Sequence, residues 1–315
     1  MTSEKLFHRT AVVVYNPTKI RAAVLERFVE LYADPRREIC WVPTTKEDTA
    51  LAGFATALTE DVDVVLVAGG DGTVRRIAHV LADTGIKMGI IPVGTGNLLA
   101  RNLGLPLDPE SAIRRAFTGE EHAVDLCEAT VTRRDGSQET YGFTVMAGVG
   151  LDAQMVERTR EELKRRIGPL AYIGGIARSL GGGNSVEATV TVDDHPSNRH
   201  RLHTMIFGNC GDLVNKIPLF PDALPDDGEI DVVAMSPRGL IGWLLIGLRI
   251  VFNTLRALLG GGWQGIPAPQ MDYFKGHTIS VSFAAPEVFE VDGDTIGSIE
   301  AATIRVIPQA LVLMR

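Results

Sequence analysis

The chain has 315 residues, 45% hydrophobic and 22% charged, which is close to the globular average; it can bury a sizeable core, and its length suits two domains better than one. Its 31 Lys and Arg against 39 Asp and Glu leave a net charge of -8, which argues against a general nucleic-acid binder, whose affinity rests on neutralising phosphates with basic groups. Cys40, Cys127 and Cys210 are isolated and the histidines form no H-E-x-x-H, so neither a disulfide scaffold nor a zinc site is expected, and a reducing, cytoplasmic compartment fits.

Met1–Thr10 holds no apolar segment of a secretory signal. Ala11–Tyr15 (AVVVY) reads as a buried strand closed by Asn16-Pro17. Ile20–Tyr32 has helical apolar spacing, Glu38–Val42 is a second strand, and Asp48–Leu58 is Ala-rich and helical. Asp63–Ala68 (DVVLVA) is a third strand, followed at once by Gly69-Gly70-Asp71-Gly72-Thr73 and a helix over Val74–Leu81. Met88–Val93 is a fourth strand, followed by Gly94-Thr95-Gly96-Asn97 and a helix to about Asn102. Strand, loop and helix in repetition predict an α/β layer built on a parallel sheet.

After about Asp125 the pattern changes. Short strand-like segments occur at Leu126–Thr132, Glu139–Ala147, Ser185–Val192, His203–Phe207, Glu229–Met235, Thr278–Phe283 and Val288–Val291. Turns at Asp135-Gly136, Asp193-Asp194, Asp226-Asp227-Gly228 and Asp292-Gly293 separate them, which predicts a β-rich, mainly antiparallel domain. Ala153–Arg166 and Leu240–Leu259 are expected to be helical, with Gly181–Gly183 and Gly260–Gly262 as flexible points. In Leu240–Leu259, Arg249, Asn253 and Arg256 share one helical face, so the helix is amphipathic; it is either packed on the core or laid on a membrane surface, where Arg249 and Arg256 would favour anionic lipid.

The two glycine loops fall at the carboxyl ends of strands, where open α/β sheets bind ligands. Glycines let backbone N–H groups approach an anion, and a following helix N-terminus adds favourable potential. Thr73 and Thr95 offer hydroxyl donors. A carboxylate such as Asp71 repels phosphate unless a cation or substrate proton offsets it, which suggests Mg²⁺ or catalysis; as a loop residue it is expected to contribute little to the fold. Taken singly, each glycine loop is also a plain turn. Gly94-Thr95-Gly96 half-matches G-x-G-x-x-G but reaches Leu99 at the sixth position, and the chain has no G-x-x-x-x-G-K-[ST].

In order along nearly the whole chain, Gly69–Thr73, Gly94–Asn97 with Leu103-Gly104-Leu105-Pro106, Gly148–Ala153, Asp226–Asp231 and Val291–Asp294 resemble the motifs of the diacylglycerol kinase catalytic-domain family, which includes bacterial lipid kinases and the sphingosine and ceramide kinases. Two positions depart from it. Thr18-Lys19-Ile20 follows Asn16-Pro17 where the family usually has x-Ser-Gly, and Leu98 follows Asn97 where Asp is common.

The resemblance implies an N-terminal three-layer α/β nucleotide domain over 1–125, completed by about 302–315, and a β-rich, sandwich-like lipid-binding domain over 126–301. It implies ATP, Mg²⁺ and a lipid substrate, most simply diacylglycerol, with a sphingoid base as the nearest rival acceptor. An NAD kinase shares the first glycine motif, and a non-catalytic nucleotide sensor or lipid carrier would share the fold. Nucleotide contacts map to Asn16, Thr44 (or Thr45), Gly69, Gly70, Asp71, Gly72, Thr73, Gly94, Thr95 and Asn97. A Mg²⁺ maps to Asp227 with the carbonyls of Leu224 and Glu229. Phosphoryl transfer needs a group that accepts the hydroxyl proton; the resemblance gives this role to Asp294, with Asp71 as the second catalytic residue, whereas the residues alone read Asp292-Gly293-Asp294 as a hairpin turn. Arg101, Arg165 and Arg166 could meet phosphate or headgroups, or lie on solvated faces. Peripheral membrane contact, a homodimer and no nucleic-acid partner complete the expectation.

Overall fold

Val12, Val13 and Val14 have no solvent exposure, and neither do Val65, Leu66 and Val67. Runs of β-branched residues buried on both faces belong to the interior of a parallel sheet. In the computed structural model, which describes residues 9–44, 54–150, 185–213, 217–220, 222–237, 239–258 and 270–315, they are β1 (Thr10–Tyr15) and β3 (Val62–Gly69). The chain divides into two units, Met1–Leu126 with Pro308–Arg315, and Cys127–Ile307.

In the first unit β1 lies between β2 (Glu38–Pro43) and β3, and β3 pairs with β4 (Lys87–Pro92), all parallel. The last residues of the chain complete this sheet, with Val312 and Leu313 pairing in parallel with Lys87 and Met88. Buried Asp125 accepts the Gln309 N–H at 2.7 Å and fastens the returning segment at a residue whose φ is +54°. Helix α1 (Ala22–Tyr32) contributes Leu25 and Val29 to the core, and α2 (Asp71–Leu81) contributes Ile77, Ala78 and Leu81. After α3 (Leu98–Asn102), helix α4 (Pro109–Thr118) starts on Asp108, whose side chain accepts the Ser111 N–H, with Pro at its first position. Ala112, Ile113 and Ala116 of α4 join Leu25 and Val29 against Ala11, Val13, Val64 and Leu66.

The second unit is antiparallel. Its strands are β5 (Glu121–Thr132), which starts in the first unit, β6 (Gln138–Phe143), β7 (Met146–Val149), β8 (Val186–Val192), β9 (Asn198–Leu202), β10 (Thr204–Gly208), the short β11 (Asp212–Leu213) and β12 (Ile217–Pro218), β13 (Ile230–Met235), β14 (Met271–Gly276), β15 (Thr278–Val291) and β16 (Asp294–Met314), whose end belongs to the first unit. The order β14-β13-β10-β7-β15-β16 forms the main sheet, with β8 and β9 also paired from β15. Val149, Phe207, Val232, Ile279, Phe289 and Ile304 are among its fully buried residues. Helix α5 (Gly239–Leu258) packs Trp243 and Ile246 against Ile206, Phe220, Val233 and Met271.

The structure redraws several expected elements. Glu139–Ala147 is two strands, because Thr144 and Val145 turn their N–H groups out of the ladder to the Asp292 carboxylate. The segments at Thr278 and Val288 are one strand with a register shift between Ser282 and Glu287. β9 (NRHRL) and β14 (MDYFKG) lack the β-branched signal and are held by pairing with β8 and β13. Thr45, most of Asp48–Leu58, Ala153–Arg166 with Arg165 and Arg166, the Leu151–Ala153 end of the third motif, Gly181–Gly183 and Gly260–Gly262 lie outside the described residues. Arg249 does not reach a membrane surface: it is 8% exposed, with its guanidinium 5.5 Å from the centre of the Tyr273 ring.

Candidate active site

Asp71, Gly72 and Thr73 are not a loop but the first turn of α2, with Gly70 as its N-cap and no side chain capping it. The Asp71 carboxylate turns away from its own helix. Oδ2 accepts the Asn97 N–H at 2.9 Å and Oδ1 accepts the Leu98 N–H at 2.5 Å, so it caps α3 instead. The expectation that Asp71 contributes little to the fold is corrected: it is the clasp between the two glycine motifs. The N–H groups at the start of α2 are left without a competing carboxylate.

Close approach requires glycine on both sides of the clasp. A Cβ at Gly94 would lie 2.6 Å from the Gly70 Cα, and one at Gly96 would lie 2.6 Å from Asp71 Oδ2. Asn97, with φ +49°, closes the second turn: its Oδ1 accepts the Gly94 N–H at 2.9 Å and its Nδ2 donates to the Gly94 carbonyl at 3.0 Å. Arg101 Nε donates to the Gly96 carbonyl at 2.8 Å, so this arginine braces the turn. Thr95 is exposed at its rim. Thr73 is buried with its side chain against Gly69. Asn16 Oδ1 accepts the N–H and the hydroxyl of Thr18, forming an Asx turn at the end of β1. The N–H of Thr44, next to the end of β2, donates to the Tyr15 carbonyl at 2.7 Å. An uncapped helix N-terminus beside two glycine-rich turns fits a polyphosphate.

In the second unit, Asp292 and Gly293 have φ of +46° and +86° and join β15 to β16 as a two-residue hairpin turn in which Val291 faces Asp294. Asp292 is 7% exposed. Its Oδ2 accepts the N–H and hydroxyl of Thr144, and its Oδ1 accepts the N–H groups of Val145 and Met146, each N–H at 2.9 Å. The Thr144 carbonyl accepts from Asn209 Nδ2 at 3.1 Å and from the Cys210 thiol, whose pKa is pushed up by complete burial. Asp294 is the exposed acid that this frame presents, and Glu290, buried on β15, is a further carboxylate nearby in the chain. The residues alone read Asp292-Gly293-Asp294 as a hairpin turn and only the resemblance singled out Asp294; the burial of Asp292 on backbone donors was missed, and the alternation of facing on a strand is the signal that could have shown it.

The turn at Asp226–Gly228 is held by Asp227 Oδ1, which accepts the Glu229 N–H at 3.0 Å, and by His277 Nδ1, 2.8 Å from the Gly228 carbonyl. Glu229 pairs with Lys275. Leu224 is 56% exposed beside it. Asp231, which the motif includes but to which no role was assigned, has its pKa pushed up to about 6; burial is the main cause, Lys275 opposes it, and Asp227, Glu229 and Asp222 add to it. Among the described residues no three His, Cys, Asp or Glu side chains form a ready metal nest. A Mg²⁺ at this turn would have the Asp227 carboxylate and main-chain carbonyls for ligands, a set that such a cation accepts when it retains waters.

A family model described as diacylglycerol kinase catalytic domain matches residues 10–129, and one described as YegS C-terminal NAD kinase beta sandwich-like domain matches residues 144–315. A diacylglycerol kinase of Staphylococcus carnosus (strain TM300) is 26% identical over 300 residues, covering 93% of this chain and 91% of that protein. A protein of Synechocystis is 28% identical over 258 residues, 78% of this chain, and the match spans about half, 53%, of that relative's length. The crystal structure of a diacylglycerol kinase from Bacillus anthracis str. Sterne superposes with a TM-score of 0.67 over 98% of this chain and 96% of that one, at 18% identity, a likeness of fold.

Proposed function

This chain belongs to the lipid kinase family that joins a diacylglycerol kinase catalytic domain to a YegS-type C-terminal beta sandwich, and from that premise we propose that it transfers the γ-phosphoryl of ATP to the hydroxyl of a diacylglycerol-like lipid. The observation that carries this reading is the clasp. Asp71 draws the second glycine turn onto the first, so that Gly69–Thr73 and Gly94–Asn97 act as one backbone cradle with the start of α2 open to an anion. Thr95, Asn16 and Thr44 lie at strand ends of the same unit and complete the proposed nucleotide contacts.

ATP supplies the transferred group; Asp227 with the carbonyls of Leu224 and Glu229 would hold Mg²⁺, which when bound would supply charge neutralisation. Asp294 accepts the proton of the lipid hydroxyl. Asp292 keeps the hairpin in register so that this carboxylate is presented, and Asp71 acts through the cradle as a positioning residue, not as the base. The enzyme so read works in the cytoplasm with peripheral contact to a membrane; no described helix is long and apolar enough to cross one.

The test is turnover of [γ-³²P]ATP over a panel of dispersed lipids that includes diacylglycerol and a sphingoid base. Radiolabelled phosphatidic acid, dependent on Mg²⁺, is expected. Labelled sphingoid phosphate alone would replace the acceptor, and ATP binding with no labelled lipid from any member of the panel would leave a nucleotide sensor.

A further inference from the structure

Helix α5 is amphipathic in the reverse sense to an ordinary surface helix. Its polar Arg249 and Asn253 are 8% and 5% exposed and share the inner side with Trp243 and Ile246. Its outer side carries Ile241, Leu244, Leu245, Leu248, Phe252 and Leu255, which are 44% to 74% exposed. At ~100° per residue these six form one continuous stripe about 100° wide. Scattered exposed apolar residues need no explanation, but a continuous stripe does.

The sequence around the stripe has its own charge. Between Asp231 and Asp272 there is no acidic residue, and the only charges are Arg238, Arg249 and Arg256, in a chain with 39 acids and a net charge of -8. An anionic surface is repelled by the chain as a whole and tolerated at this segment, which selects the face that turns towards it. The six side chains by themselves fall short of the ~800 Å² that each partner contributes to a stable protein interface. They suit the shallow apolar layer under lipid headgroups, where a helix too short in apolar length to span lies in the plane.

We infer that the outer face of α5 docks the enzyme on an anionic phospholipid bilayer by inserting Ile241, Leu244, Leu245, Leu248, Phe252 and Leu255 below the headgroups. The inference rests on the lipid kinase reading for the chemistry of the partner, and its test reads binding separately from turnover. The specificity for anionic lipid comes from the acid-free segment as a whole, because Arg249 is spent against Tyr273.

The experiment is flotation of the full chain with vesicles of phosphatidylcholine alone and of equimolar phosphatidylcholine and phosphatidylglycerol. The parent is expected to float with the anionic vesicles and far less with the neutral ones. The double variant Leu248→Asp, Phe252→Asp should lose at least about a hundredfold in partition, keep its melting temperature, and still turn over a short-chain, water-dispersed diacylglycerol. If the carboxylates impair folding, Leu244→Gln with Leu255→Gln gives the same loss in a milder form. Equal flotation of parent and variant, or no flotation of the parent, overturns the inference. So does a parent dimer by light scattering that the variant splits without any vesicle binding, since the stripe is then a self-interface. Flotation lost in the variant while neither protein phosphorylates any lipid supports the docking face and overturns the kinase reading instead.

Discussion

The two motif regions use the same device to different ends. In the first unit Asp71 accepts two consecutive backbone N–H groups, from Asn97 and Leu98; in the second, Asp292 accepts three, from Thr144, Val145 and Met146, and a hydroxyl. Asp71 brings together two turns and leaves a helix N-terminus open. Asp292 is deeply buried, and two residues on it presents an exposed acid, Asp294. A carboxylate saturated by backbone donors is structural before it is chemical, and the proposed base is the acid that such a frame holds out.

The largest effect that tests this comparison is at Asp294. Asp294→Asn keeps the size and removes the basicity, so kcat should fall about 10²–10⁴-fold with ATP affinity nearly unchanged and the melting temperature intact. More than about a tenth of parental kcat in this variant would move the base elsewhere, because that loss is below the smallest expected for a general base.

Next comes the frame itself. Asp292→Ala leaves three N–H groups without their acceptor, two buried and one half-buried, and should cost about 3 kcal/mol in chemical denaturation, at ~1 kcal/mol for each. Asp292→Asn retains one acceptor oxygen and a residue type tolerant of left-handed φ, so its loss should be about half that. Little or no loss in Asp292→Asn beside a large loss in Asp292→Ala would show that the turn conformation matters and the carboxylate does not.

The clasp should behave differently from the base. Asp71→Asn is expected to lose about 1 kcal/mol of stability, as for a lost helix cap, and to raise KM for ATP more than it lowers kcat. A fall in kcat of about 10³-fold at unchanged KM would instead restore Asp71 as a proton acceptor.

The Asp226–Gly228 turn separates a metal site from a plain turn. Asp227→Ala should weaken turnover and flatten its Mg²⁺ dependence. It should also remove the Mg²⁺-induced rise in melting temperature, since a cation bound only to the folded state stabilises it by mass action. A parental Mg²⁺ response in this variant removes the cation from the turn.

The smallest effect concerns Asp231. Its folded pKa of about 6 lies above the ordinary 3.8, so the folded state holds its proton more tightly and stability falls as pH rises through the interval from about 4 to 6. Asp231→Asn should abolish that slope and gain about 1 kcal/mol at pH 7 after allowance for solvent screening. An unchanged slope in urea melts across that interval would place the titration elsewhere.

Much of the first unit was legible in the sequence because its signals are local. Valine-rich strands such as Ala11–Tyr15 and Asp63–Ala68 are buried on both faces, and the glycines at 69, 70, 94 and 96 are dictated by contacts within two adjacent strand–helix turns. In the second unit the turns were legible and the pairing was not. NRHRL and MDYFKG become strands only because partners are present, and Glu139–Ala147 breaks only because Asp292, far along the chain, takes its N–H groups. The amphipathic character of α5 was written in the spacing of Arg249, Asn253 and Arg256, but which face turns outward was not, since periodicity fixes the angle between two faces and says nothing of what packs against either.

By itself the sequence determined where the backbone must be bare, where it must be β-branched and where acids gather. Tertiary structure alone decided which acid is spent on backbone donors and which is held out to solvent. A hydrogen bond from Asn97 to Asp71 or from Thr144 to Asp292 joins residues 26 and 148 positions apart, and no local pattern encodes such a bond.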